Sequence, residues 1–167
     1  KRQAFFDLFA VRYKIKPPKI MGTHNHCPML RPMDSKPIAV LGAGSWGTAL
    51  AIQLARAGRP VLLWGRGAAH LAACATARRN ERYLPEASFP PSLQIEPDLG
   101  RAMAAARDLL IVVPSHAFRG LLVEVASKLP NGLATHRFAW ATKGFEVATG
   151  LLPHQVAQEV LGPAMPL

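Results

Sequence analysis

Three glycines at fixed spacing carry the most chemistry in this sequence: Gly42-Ala43-Gly44-Ser45-Trp46-Gly47 spells G-x-G-x-x-G. Alone the string is weak, but here Ile38-Ala39-Val40-Leu41 immediately before it reads as a buried strand. Residues 45–57 after it read as a helix, with Trp46, Leu50, Ala51, Leu54 and Ala55 at helical spacing and a stop at Gly58. A glycine turn between strand and helix is the context in which this spacing holds a dinucleotide. Gly42 permits the tight turn, Gly44 lets the backbone approach a pyrophosphate without a Cβ in the way, and Gly47 lets the helix pack closely on the sheet. The unpaired N–H groups and positive dipole end of the helix then hold the phosphates. The competing reading, a glycine turn with no ligand, loses ground to that context.

The second strand, 61–64, ends at Trp64-Gly65-Arg66. An NAD-preferring site usually places Asp or Glu here, against the ribose hydroxyls. This sequence offers Arg66 instead, a planar fork of donors suited to a 2′-phosphate or to stacking on adenine. NADP(H) is therefore the expected cofactor, with NAD(H) as the alternative. Against this stands the plainer reading of Arg66 as a solvated loop arginine.

The elements that must position these groups alternate strand and helix, which predicts an α/β fold: a Rossmann-type, doubly wound, mostly parallel sheet. Strands are expected at 37–41, 61–64, 93–95, 109–113 and 138–142. Helices are expected at 45–57, at 98–106 with Asp98 as cap, at 117–128 and at 154–161. Cys74 falls in an Ala-rich helix and reads as packing, and Arg78-Arg79 with Arg82 reads as a solvated face. Ser115 and His116 are adjacent and so do not form a nucleophile with its base; they read as a loop near the cofactor.

The chain has 167 residues, 50% hydrophobic and 18% charged, in keeping with one globular domain. No apolar run approaches the roughly 18 to 20 residues of a membrane-spanning helix. The net charge of +10 is unevenly spread: residues 1–32 hold seven basic residues against the single acid Asp7, and the remainder carries only +4. With Pro17-Pro18, Pro28 and Pro32, residues 1–32 read as a poorly ordered basic extension before a domain at 33–167 that begins at Met33, a plausible initiator. Its opening, Ala4 to Val11, could form a short helix, but a convincing secretory signal is absent. A nucleic-acid or membrane-surface binder acting through this extension is the second class of function. His24, His26 and Cys27 make a poor closed metal site, so no metal is expected. Two cysteines, Cys27 and Cys74, are too few for a disulfide scaffold, which points to the cytoplasm.

Taken together, Gly-Ala-Gly-Ser-Trp-Gly-Thr-Ala (42–49), Leu-Trp-Gly-Arg (63–66), Asn80 through Tyr83-Leu84-Pro85, Val-Val-Pro-Ser-His (112–116) and Trp-Ala-Thr-Lys-Gly (140–144) resemble the bacterial NAD(P)-dependent glycerol-3-phosphate dehydrogenases, from about Pro37 to the last residue. The resemblance implies hydride transfer between NAD(P)H and dihydroxyacetone phosphate, giving sn-glycerol 3-phosphate for phospholipid synthesis. It implies that Ser45, Trp46 and Arg66 contact the cofactor, that Pro114 lies close to it, and that Lys143 reaches both cofactor and substrate. In that family an all-helical domain follows, carrying the lysine that acts as general acid and base; the full-length enzyme is a possible homodimer. The sequence stops at Leu167, so on this resemblance it reads as a truncated chain, with no catalytic residue of its own and doubtful activity alone. No nucleic acid and no membrane are expected as partners on this reading.

Overall fold

The computed structural model describes residues 36–129 and 135–162. The expected basic extension, the short helix at its start, the nucleic-acid or membrane-surface role attached to it, and His24, His26 and Cys27 all lie outside the described residues.

Four-residue apolar runs make the central strands. β1 (Ile38–Leu41), β2 (Val61–Trp64), β5 (Leu93–Ile95), β6 (Asp108–Ile111) and β7 (Arg137–Trp140) form a five-stranded sheet in the order β5-β2-β1-β6-β7. Every pairing is parallel. Successive side chains point to opposite faces of a strand, and each face is buried. Ala39 and Leu41 join one core with Leu109, Ile111 and Phe118; Val40 joins the other with Val61, Leu63 and Leu93.

Helices cover both faces. α1 (Ser45–Arg56) and α2 (Ala68–Ala77) supply Ala51, Ile52, Leu71 and Cys74 to the second core. α3 (Leu99–Ala105), α4 (Ser115–Ser127) and α5 (Pro153–Leu161) supply Met103, Leu122 and Val156 to the first. Asp98 caps α3 as expected, its carboxylate accepting from the Arg101 amide at 2.7 Å. That bond is the main cause holding the Asp98 carboxyl below its ordinary pKa. Pro153 opens α5 at a position where its missing N–H costs nothing. Among the described residues, no helix is long and apolar enough to cross a membrane.

The doubly wound parallel architecture is thus as the alternation predicts, with local differences, among them the start of α4 at Ser115 where the helix is expected from 117. The strands expected at 109–113 and 138–142 end earlier, at Ile111 and Trp140, because the chain there leaves the ladder to form the rim of a cleft. A small antiparallel hairpin, β3 (Arg79–Asn80) with β4 (Leu84–Ser88), stands where no strand is expected. Its residues are too polar, and one is Pro85, for the apolar alternation that signals a strand. Arg78, Arg79 and Arg82 are exposed, as a solvated face requires, but Arg78 is also held in place. It takes a left-handed φ of 50°, its guanidinium donates to the Pro90 and Leu93 carbonyls at 2.8 and 2.9 Å, and it lies over the Phe89 ring.

Candidate dinucleotide site

The order of the sheet creates the site. From β1 the chain winds outward through β2 to β5, then returns to the other side of β1 at β6 and continues to β7. At such a reversal the loops leaving the carboxyl ends of adjacent strands part and open a crevice. Strand ends are level there: Leu41 pairs with Trp64 and with Ile111, which pairs with Trp140. The loops that follow line a cavity of about 870 Å³, which includes Gly42 to Gly47, Trp64 to Gly67, Val112 to Ser115 and Ala141 to Lys143.

The three glycines do different jobs. Gly42 has φ +136°, and a Cβ there would run into the Val112 carbonyl. A Cβ on Gly47 would run into the Gly42 carbonyl, so the first turn of α1 sits directly against the turn that precedes it. Gly44 differs from both. Its φ of −81° suits any residue, and nothing lies within 4 Å of where its Cβ would stand. The fold gives no reason for a glycine at 44; open cavity space beside the backbone does. Gly65 adds a close contact that the sequence alone does not announce, since a Cβ there would come within 2.8 Å of the Ala43 Cβ.

Two helix N-termini face this cavity. Neither α1, which begins after Gly44, nor α4, which begins after Pro114, has a side-chain cap. First-turn N–H groups have no intrahelical acceptor, so both ends offer donors and positive dipole ends to an anion. Arg66, Arg82, Lys143 and His70 also line the cavity, and among the described residues no carboxylate does. Arg66 is exposed and extends toward α4, its Nη2 3.9 Å from where a Cβ on Gly120 would stand. Trp46 is 60% exposed and lines the cavity, so its ring is open to a ligand and not part of the core. Ser115 belongs to no loop: it opens α4 and lines the cavity, whereas His116 does not.

Lys143 stands on an exposed turn fixed from behind. The Thr142 hydroxyl donates to the Val113 carbonyl at 2.8 Å, tying the β6 and β7 loops together. Three residues on, Glu146 accepts from Arg119 Nε and Nη2, both at 2.8 Å, and from the Thr149 hydroxyl at 2.6 Å. Arg119 also bonds Glu159 of α5 at 2.7 Å. The Arg119 bonds, followed by the Thr149 hydroxyl, hold the Glu146 carboxyl down at about 2. The same bonds push the Arg119 guanidinium further up.

All the residues expected to touch a cofactor, Gly42, Gly44, Ser45, Trp46, Gly47, Arg66, Pro114 and Lys143, therefore line one cavity. His70 and Tyr83 line it too, and so does Arg82, which on sequence reads only as part of a solvated face. For Arg82 and Tyr83 the signal is the 80–85 motif, whose purpose shows only once β3 and β4 fold back toward α1; for His70 the sequence carries none. The Arg82 guanidinium lies 5.0 Å from the Tyr83 ring centroid, and His70 meets that ring edge-on at 5.5 Å. Cys74 is packing, as expected: it is buried, and burial pushes its thiol pKa up. Among the described residues, no group of His, Cys, Asp and Glu could hold a metal ion.

Residues 37–167 match the family described as NAD-dependent glycerol-3-phosphate dehydrogenase N-terminus. The chain belongs to that family. It is 52% identical over 130 residues to the glycerol-3-phosphate dehydrogenase [NAD(P)+] of Edwardsiella ictaluri, covering 78% of this chain and 38% of that protein. It is also 52% identical over 135 residues to the enzyme of Actinobacillus pleuropneumoniae, covering 81% of this chain and 39% of that one. A crystal structure of glycerol-3-phosphate dehydrogenase from Coxiella burnetii superposes with a TM-score of 0.71 at 41% identity, covering 77% of this chain and 38% of the other. The chain thus spans well under half the length of these glycerol-3-phosphate dehydrogenases, and the matched part is the one that holds the cavity.

Proposed function

We propose that this chain is the coenzyme-binding half of an NAD(P)-dependent glycerol-3-phosphate dehydrogenase, with NADP(H) as its preferred coenzyme. One observation carries the reading: two uncapped helix N-termini and the cations Arg66, Arg82 and Lys143 converge on a cavity that no carboxylate among the described residues lines. That donor set fits a ligand with several phosphates, and the vacant space beside Gly44 fits the close approach of a diphosphate.

In this reading the amides of residues 44–47, with Ser45 and Trp46, hold the diphosphate. Arg66 takes the 2′-phosphate or stacks on adenine, in the absence of an acidic residue at the end of β2. Val112, Val113 and Leu121 give the cavity an apolar wall that keeps water from the reacting end, with Pro114 beside the coenzyme. Bound coenzyme supplies the hydride. Lys143 reaches both coenzyme and substrate, dihydroxyacetone phosphate or sn-glycerol 3-phosphate, as a cation that orients the phosphorylated three-carbon compound. The product would feed phospholipid synthesis in the cytoplasm. Residues 1–32 would form a basic extension, 33–167 the binding domain, and the longer enzyme a homodimer.

Titrating the folded chain with NADPH and with NADH, followed by quenching of tryptophan fluorescence, tests the reading. Saturable quenching with tighter binding of NADPH is expected; no saturable signal from either coenzyme overturns it.

A further inference from the structure

Asn80 belongs to a motif that stands out in the sequence and that the proposed function leaves unused. Its side chain is completely buried, and an amide in such a place must find partners or destabilise the fold. Its partners are specific. Nδ2 donates to the Ala43 carbonyl at 3.0 Å and to the Thr48 hydroxyl at 2.8 Å, while Oδ1 accepts from the Tyr83 amide at 3.3 Å. Ala43 lies between the first two glycines of the turn. Thr48, itself completely buried, follows the third glycine and opens the α1 hydrogen-bond ladder, its amide donating to the Gly44 carbonyl at 2.9 Å. One amide group thus clasps the glycine turn on either side of residues 44–47, all four of which line the cavity.

The contacts join segments 37 and 32 residues apart. Locally the side chain serves only the long Tyr83 bond, in a strand of two residues with a register irregularity at that point. The Ala43 carbonyl is the informative partner. A peptide whose oxygen is held by Asn80 has its plane fixed, and with it the direction of the next amide, that of Gly44. Free to rotate, this peptide would turn the Gly44 N–H away from the cavity at little cost, because no side chain at 44 resists.

We propose that Asn80 is a positioning residue for the diphosphate cradle, presetting the Ala43–Gly44 peptide so that coenzyme binds without reordering the turn. Preorganisation of this kind lowers the cost of binding. The inference rests on the proposed coenzyme site and names a residue that touches no ligand.

The test uses the full chain and two ligands: NADPH, and adenosine 2′-monophosphate, which has the adenosine end and no diphosphate. In Asn80→Ala the Tyr83 amide keeps its other acceptor, the Asn80 backbone carbonyl at 3.3 Å, so the cavity wall stays in place. NADPH affinity should fall by about tenfold or more, the effect of losing a buried hydrogen-bond pair, with adenosine 2′-monophosphate affinity changed less than about twofold. Equal losses for the two ligands, or an unchanged NADPH affinity in a folded variant, overturn the proposal. Should Asn80→Ala not fold, Thr48→Val decides. It removes one acceptor at nearly constant shape, and should weaken NADPH by about threefold and spare the monophosphate; no selective loss overturns the proposal. Wild-type binding of NADPH is the control that separates this inference from the reading beneath it. If the wild type fails to bind, the coenzyme site is wrong; if it binds and the variants match it, only the role of Asn80 is.

Discussion

The turn after β1 and the turn after β7 face the same cavity but are held by different forces. The first is fixed by exclusion: carbonyls stand where Cβ atoms of Gly42 and Gly47 would go, and a buried amide secures the peptide between. The second, bearing Lys143, is exposed; beside the Thr142 bond to the Val113 carbonyl it is held by charge, through Glu146 on Arg119 and Arg119 on Glu159. Contacts of the first kind do not depend on pH or salt. Those of the second kind do, since a screened or protonated carboxylate releases its partner. A pocket built this way keeps its glycine turn fixed while the side that bears Lys143 responds to conditions.

The sharpest way to break this contrast is Gly42→Ala. It adds a clash with the Val112 carbonyl to a backbone strained at φ +136°, so a loss of about 3 kcal/mol or more is expected in urea unfolding, together with loss of NADPH binding. An unchanged midpoint would mean that exclusion does not hold this turn. Gly44→Ala is the companion. With ordinary φ and open space around it, the variant should be as stable as the wild type or gain up to about 1 kcal/mol. Its NADPH affinity should nevertheless fall by about tenfold or more, because the methyl occupies the ligand's place; parallel changes in stability and affinity would refute the distinction.

Arg66→Ala probes a side chain of the cradle half that carries charge. It should weaken NADPH by about tenfold to a hundredfold, the worth of a charge-assisted bond, and NADH much less. Equal losses for both coenzymes would remove the role in 2′-phosphate recognition. The smallest effect belongs to Glu146→Gln, read as a pH profile. Because Glu146 in the folded chain is held at about 2, below its ordinary 4.5, its ionised form stabilises the fold fully above about pH 5. That contribution fades as pH falls toward 2. The gap in denaturation midpoint between wild type and variant should therefore close on acidification. A gap that widens instead would contradict charge as the force holding the Lys143 turn.

Much of this could be read in the sequence because it is local. A strand, three glycines and a helix in succession carry their own instructions, and apolar runs such as Leu109-Leu110-Ile111 announce a buried parallel strand. The hairpin was not legible, since its stabilising bonds reach across the chain. Arg78 finds carbonyls 12 and 15 residues on, and Asn80 finds one 37 residues back. Neither spacing has a period that a sequence pattern could reveal. Arg82 shows the same limit: three arginines in five positions look like a solvated face, and only the fold sends one into the carbonyl-lined base of the hairpin and another to the cavity wall.

Of the three glycines, two answer to the polypeptide and one to whatever occupies the cleft. Position 44 is therefore where evolutionary drift would first register in a descendant released from its coenzyme, since a larger residue there costs the architecture nothing. Positions 42 and 47 would persist in such a lineage as a relic of the scaffold, and a residue other than glycine at 44 would mark paralogues that have kept the shape and abandoned the ligand.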